Sequence, residues 1–141
     1  MDFPDPVYVF LQSQDLPRSV VEAGLPGLVS SWERTVRDVA GGFQGGLEDY
    51  LDAMDTRDLL AEGWEVATED QQLVVERRLT AADSRMRELV VSVGQCLYGD
   101  LVAEDEGWTA ESHWWYFSRP LEAGPRLRQE LTDDGGPGAG P

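Results

Sequence analysis

The chain is 141 residues long and carries 27 acidic against 11 basic residues, a formal net charge of −16 at pH 7. That length suits a single domain, which buries roughly two-thirds of the surface its unfolded chain exposes and needs neither disulfide nor metal to fold. A field this negative repels phosphate backbones and anionic lipid, which argues against nucleic-acid and membrane binding and favours a basic partner.

Lys, Ile and Asn are absent and every basic residue is Arg. All three missing residues need AT-rich codons, so a GC-rich genome or a salt-adapted cytoplasm accounts for the bias without invoking recognition. The charge is unevenly placed. Residues 46–68 hold seven acids against one Arg and residues 100–112 hold five acids and no Arg, so these two stretches supply −11 of the −16. One cysteine, Cys96, leaves no internal disulfide to form. Residues 1–6 lack the basic and apolar regions of a secretory signal, and no apolar run approaches the ~18 residues of a membrane span. The expected compartment is therefore the cytoplasm. The Gly/Pro-rich residues 133–141 have nothing to bury and read as a disordered tail behind one helical domain at 1–132.

Val7–Leu11 is a short β-branched and aromatic run, consistent with either a strand or the first turn of a buried helix. Asp15 precedes Leu16-Pro17 as a candidate N-cap, and Gly24 with Pro26 ends that helix early. Leu25, Val29, Trp32, Val36 and Val39 step by four and three, predicting a helix with one apolar face that Gly41-Gly42 stops. A third helix begins after Gly45-Gly46 on a stripe of Leu47, Tyr50, Leu51 and Met54, which Leu60, Ala61 and Trp64 extend. Thr68 and Gln71 have capping-box spacing. Val75, Leu79, Ala82, Met86, Leu89, Val93 and Cys96 then form an apolar seam that predicts a helix over about 69–98, capped by Gly99. Residues 100–107 read as an acidic loop, Thr109 as a candidate N-cap, and 126–131 as a short terminal helix. The fold class is all-α: an up-and-down bundle of three to four main helices, with 7–11 and 113–117 as candidates for a minor two-stranded ribbon.

Chemistry-bearing motifs are few. The glycine-rich loop 41–46 lacks the Lys and Ser/Thr of a phosphate loop and runs into Glu48 and Asp49, so it reads as a flexible connection. Asp49, Asp52, Asp55 and Asp58 recur every third residue and spiral across a helix surface without converging on a cation. His113 is the only histidine, too few for an ordinary zinc site, and Cys96 lies on the apolar seam, where burial makes a thiol inert. No nucleophile motif is present. No cofactor or metal is implied, and the enzyme reading has no positive support.

His113-Trp-Trp-Tyr-Phe117 is the most informative local feature, because five successive rings cannot share one core from a regular helix or strand. Trp and Tyr are also the commonest binding anchors. The expected partner-binding residues are Glu104, Asp105, Glu106, Trp108, Trp114, Trp115 and Tyr116, with Asp49, Asp52 and Asp55 as a second patch. Together they point to a non-enzymatic acidic domain, monomeric or homodimeric, that docks a basic protein surface as an inhibitor, immunity or antitoxin-like protein does. The alternative is a small-ligand-binding bundle or minor enzyme with an interhelical pocket lined by Trp32, Trp64, Met86 and Tyr98. The long seam would also suit self-association.

Overall fold

Asp5 opens the first helix, α1 (Pro6–Gln12), by accepting from the amides of Val7 and Tyr8 at 2.9 and 3.1 Å, with Pro6 at the first helical position. The computed structural model describes residues 4–133. The run 7–11 is thus helix, not ribbon, and buries Val7 and Leu11. Asp15 does not cap the next helix. It adopts a left-handed turn, φ 55°, which a short polar side chain tolerates, and Pro17 takes the cap position.

Helix α2 (Arg18–Ala40) breaks where Gly24 and Pro26 require, Gly24 taking φ 63° and ψ −155°, a region open essentially to glycine alone. Beyond the break Leu25, Val29, Trp32, Val36 and Val39 are all buried, as their spacing predicts. Helix α3 (Leu47–Val66) passes Asp55-Thr56 without interruption. The glycine-rich loop before it is packed. A Cβ on Gly46 would collide with the Glu130 carboxylate, and the Glu130 carboxylate accepts from the Leu47 amide at 3.2 Å. The terminal helix α6 (Pro125–Asp133) therefore docks on that loop and on α3.

Thr68 and Gln71 exchange both capping-box hydrogen bonds at the start of α4 (Glu69–Leu89), at 3.1 and 2.9 Å. The helix stops at Leu89 instead of continuing toward 98. Val90, Val91 and Val93 are β-branched and lose rotamer freedom in a helix. Strand β1 (Val90–Ser92) instead pairs antiparallel with β2 (Ser118–Pro120), Val90 opposite Pro120. A two-stranded ribbon is present, then, but from segments other than 7–11 and 113–117. The acidic stretch after Gly99 is a helix, α5 (Asp100–Glu106), and the aromatic cluster forms a single 3₁₀ turn at Trp114–Tyr116.

Among the described residues helix makes up 69%, with six α-helices, which establishes the mostly all-α class. Val75, Leu79, Ala82 and Met86 join Leu25, Val29 and Trp32 in one core cluster, so the seam is used inside the chain. Asp83 on α4 accepts from Trp32 Nε1 at 2.8 Å and from Arg57 Nε and Nη2 at 3.0 and 2.9 Å, tying α2, α3 and α4 together. Among the described residues no helix is long and apolar enough to cross a membrane. The expected tail, apart from Asp133 at the end of α6, lies outside the described residues.

Candidate functional site

The face built by α3, α5 and the 3₁₀ turn gathers most of the chain's unusual chemistry. On α3, Asp55, Asp58 and Glu62 follow a three-four spacing and share one side of the helix. Gly107, at φ 74°, ends α5 in the left-handed conformation, and the Trp108 amide turns back to donate to the Ala103 carbonyl at 2.9 Å. That reversal lays Trp108 flat on Tyr116, ring centres 4.2 Å apart and 20° from parallel. The Leu97 amide donates to the Tyr116 carbonyl at 2.7 Å, which seats Tyr98 beside both rings.

Asp55 accepts from the hydroxyls of Tyr98 and Tyr116 at 2.8 and 2.7 Å. Burial, the hydrogen bond to Asp55 and nearby negative charge push both phenol pKa values well up, so both remain donors. Asp58 is pushed up to about 6, first by burial, then by repulsion from Asp55 and Glu106, against a smaller pull from Arg57. Glu62 is raised by burial and by Asp58 and Glu106, with His113 opposing. Carboxylates from two separate acidic stretches therefore sense one another across this face.

His113 sits 3.2 Å from Asp58 through Nε2 and 2.7 Å from the Ser112 hydroxyl through Nδ1. Burial lowers its pKa, with Glu62 pulling the other way, so the ring is neutral at pH 7. Nδ1 shares a hydrogen bond with the Ser112 hydroxyl, and Nε2 faces the Asp58 carboxylate. The Ser–His–Asp connectivity resembles a catalytic relay, but the Ser112 oxygen already accepts from the Thr109 amide and hydroxyl at 3.0 Å each. Those bonds fix a turn and leave no free nucleophile. Both ring nitrogens being engaged, none remains for Cys96, whose thiol is buried and raised in pKa by that burial.

Arg57 is the one cation of the stretch 46–68, and it faces the other way. Its side chain is 10% exposed and bound to Asp83, so it offsets the carboxylates around Asp58 only weakly. Arg57 also lies 4.5 Å from the centre of the Trp115 ring, a contact that helps bury the indole.

The structure thus divides the sequence-derived residues. Asp52, Asp55, Glu106 and Trp108 come together: Asp52 and Asp55 both act on Tyr98, and Glu106 acts on Asp58 and Glu62. Glu104 and Asp105 are exposed on the same short helix. Asp49 belongs elsewhere, holding the Gly46 amide at 2.9 Å and facing Arg126. Trp114, Trp115 and Tyr116 are buried, at 9%, 2% and 1% exposure, so they form the wall beneath the surface and not its anchors. Asp58, Glu62, Tyr98 and His113 join Asp55, Glu106 and Trp108 on this face, as the three-four spacing of Asp55, Asp58 and Glu62 signals. Trp32 and Met86 are fully buried and Tyr98 lies on the acidic face, so the four-residue interhelical pocket does not form. Among the described residues no group of three or more His, Cys, Asp or Glu is placed to hold a metal ion.

No protein-family model matches the sequence, and no curated protein or solved structure matches it significantly.

Proposed function

We propose that the chain is a non-enzymatic acidic docking domain for a basic protein surface, of the inhibitor, immunity or antitoxin kind. The observation that carries this reading is the convergence of Asp55, Asp58, Glu62 and Glu106 around half-buried Trp108, with Arg57 withdrawn into the interior. Burial and, after it, repulsion between neighbouring carboxylates raise Asp58 and Glu62, and a guanidinium or ammonium group set among them relieves that repulsion. Trp108, backed by Tyr116, supplies a rigid aromatic surface beside them, and aromatic anchors of this kind dominate binding energy in many interfaces. The field outside speeds encounter and the aromatic contact sets residence time.

The test is affinity capture from the native host at low salt, comparing the wild type with Glu62→Gln/Glu106→Gln and with Trp108→Ala. A basic protein retained by the wild type, released by raised salt and lost in both variants supports the docking reading. Retention of the same proteins by all three chains refutes it. Asp49→Asn serves as a control, because that residue faces the α6 side.

A further inference from the structure

On the other side of Arg57 and Trp115 lies a solvent-open groove between α3, α4 and the 3₁₀ turn. It consists of two adjoining hollows of about 360 and 240 Å³ that share Arg87 and Trp114. The larger is within the size range of small-molecule sites. Its walls are aromatic: half-buried Trp64 with Trp114 and Trp115. The exposed Arg87 guanidinium lies 4.2 Å over the Trp114 ring and covers that face, so the surface left for a planar group to stack on is half-buried Trp64.

Two donors in this wall have no partner. Arg57 Nη1 and Trp115 Nε1 are buried and unbonded, while the hydrogen bonds of Arg57 go to Asp83. The residues are 8% and 2% exposed, and both line the larger hollow. Buried donors are ordinarily satisfied, and an orphaned one marks a place where an acceptor belongs. Glu65 and Glu111 stand exposed along the same groove and offer the opposite chemistry, acceptors for an N–H. The charge around the hollow is not cationic: Asp83 neutralises Arg57, and Glu65 and Glu111 outnumber Arg87.

We infer that this groove binds an uncharged planar heterocycle that carries a carbonyl oxygen beside ring N–H groups, the chemistry of a nucleobase. The carbonyl oxygen accepts from Trp115 Nε1 and Arg57 Nη1, the ring lies among the tryptophans, and the outward N–H groups donate to the rim carboxylates. An anion is disfavoured by the same carboxylates. Both orphan nitrogens are sealed from solvent, so seating the oxygen requires a small side-chain shift in the groove wall. The site is independent of the acidic docking face and stands or falls separately from it.

The experiment is tryptophan-fluorescence titration of the full chain with uracil and with guanosine, with benzoate as a planar anion of similar size. The expected result is saturable quenching by at least one of the two at a Kd below ~1 mM, with benzoate much weaker. Trp115→Phe removes one orphan donor and keeps an aromatic ring. Glu111→Ala removes one rim acceptor and changes only an exposed position. Each weakens binding about tenfold, the effect of losing one hydrogen bond, while far-UV circular dichroism stays that of the wild type. Absence of saturable binding by both heterocycles, benzoate binding as tightly as either, or unchanged affinity in a folded Trp115→Phe chain overturns the inference. If Trp115→Phe does not fold, unchanged affinity in Glu111→Ala does so.

Discussion

Removing the Asp83 carboxylate tests how the three long helices are held together. In Asp83→Ala the Arg57 guanidinium, 8% exposed, loses both of its hydrogen bonds, and the Trp32 indole N–H, fully buried, loses its only acceptor. Breaking one partner of a buried ion pair costs ~3–5 kcal/mol. The Asp83 side chain is 21% exposed, which places this pair at the lower end of that range. The orphaned indole adds about 1 kcal/mol. A loss of ~3–4 kcal/mol is a large part of the ~5–15 kcal/mol that holds a domain of this size. Urea titration followed by tryptophan fluorescence and by circular dichroism measures it as a lower midpoint with unchanged slope. The double variant Arg57→Met/Asp83→Leu removes both charges and is expected to regain more than half of the loss, because an apolar pair needs no compensation. A loss below ~1 kcal/mol in Asp83→Ala, or a double variant as unstable as the single one, would refute the network's structural role.

Asp58 gives a pH-dependent counterpart. Its folded-state pKa of about 6 lies above the ordinary 3.8, so its ionisation opposes folding: the stability it contributes is full below the ordinary value and is lost as pH rises through about 6. Asp58→Asn removes the charge while keeping the side chain's size and is expected to be more stable than the wild type at neutral pH by on the order of 1 kcal/mol after solvent screening. That advantage fades below about pH 4 in thermal melts, and an advantage that grew on acidification would reverse the sign argued here. Trp114→Ala, a core truncation on a residue packed against Trp32 with ring centres 6.4 Å apart, costs ~3–5 kcal/mol. Trp108→Ala costs less stability and instead weakens partner capture, and equal melting temperatures for the two variants would contradict this division. Thr68→Ala removes the acceptor for the Gln71 amide and lowers stability by about 1 kcal/mol, measured by the same urea titration.

The elements legible in the sequence were those whose side-chain period is set by one buried face. The stripe from Leu25 to Val39 and the seam from Val75 to Met86 are buried residue for residue, and the break at Gly24 and the box at Thr68 follow from local backbone chemistry. The seam failed as a guide past Leu89. Val93 and Cys96 keep the helical spacing, yet they reach the core from a strand end and a loop, because pairing with 118–120 outweighs the period. The aromatic cluster misled for a related reason. A helix or strand would push some of its rings outward, whereas a single 3₁₀ turn buries three neighbours together, Trp114 against Trp32 and Trp115 against Arg57.

The acidic face was only half legible because charge patterning along a sequence does not record which way a cation points. Residues 46–68 carry one Arg among seven acids, and at the surface that Arg57 would have softened the field around Asp58. Its burial against Asp83 does two things at once: it locks α3 to α4 and leaves only a weak pull on the carboxylates of the opposite side of α3. The same inward turn brings it against Trp115 and leaves its Nη1 unpaired beside the groove. One side chain thus links three features, since the core needs its charge paired, the proposed docking face keeps its acids in excess because the guanidinium turns inward, and the proposed groove site draws on the donor that remains.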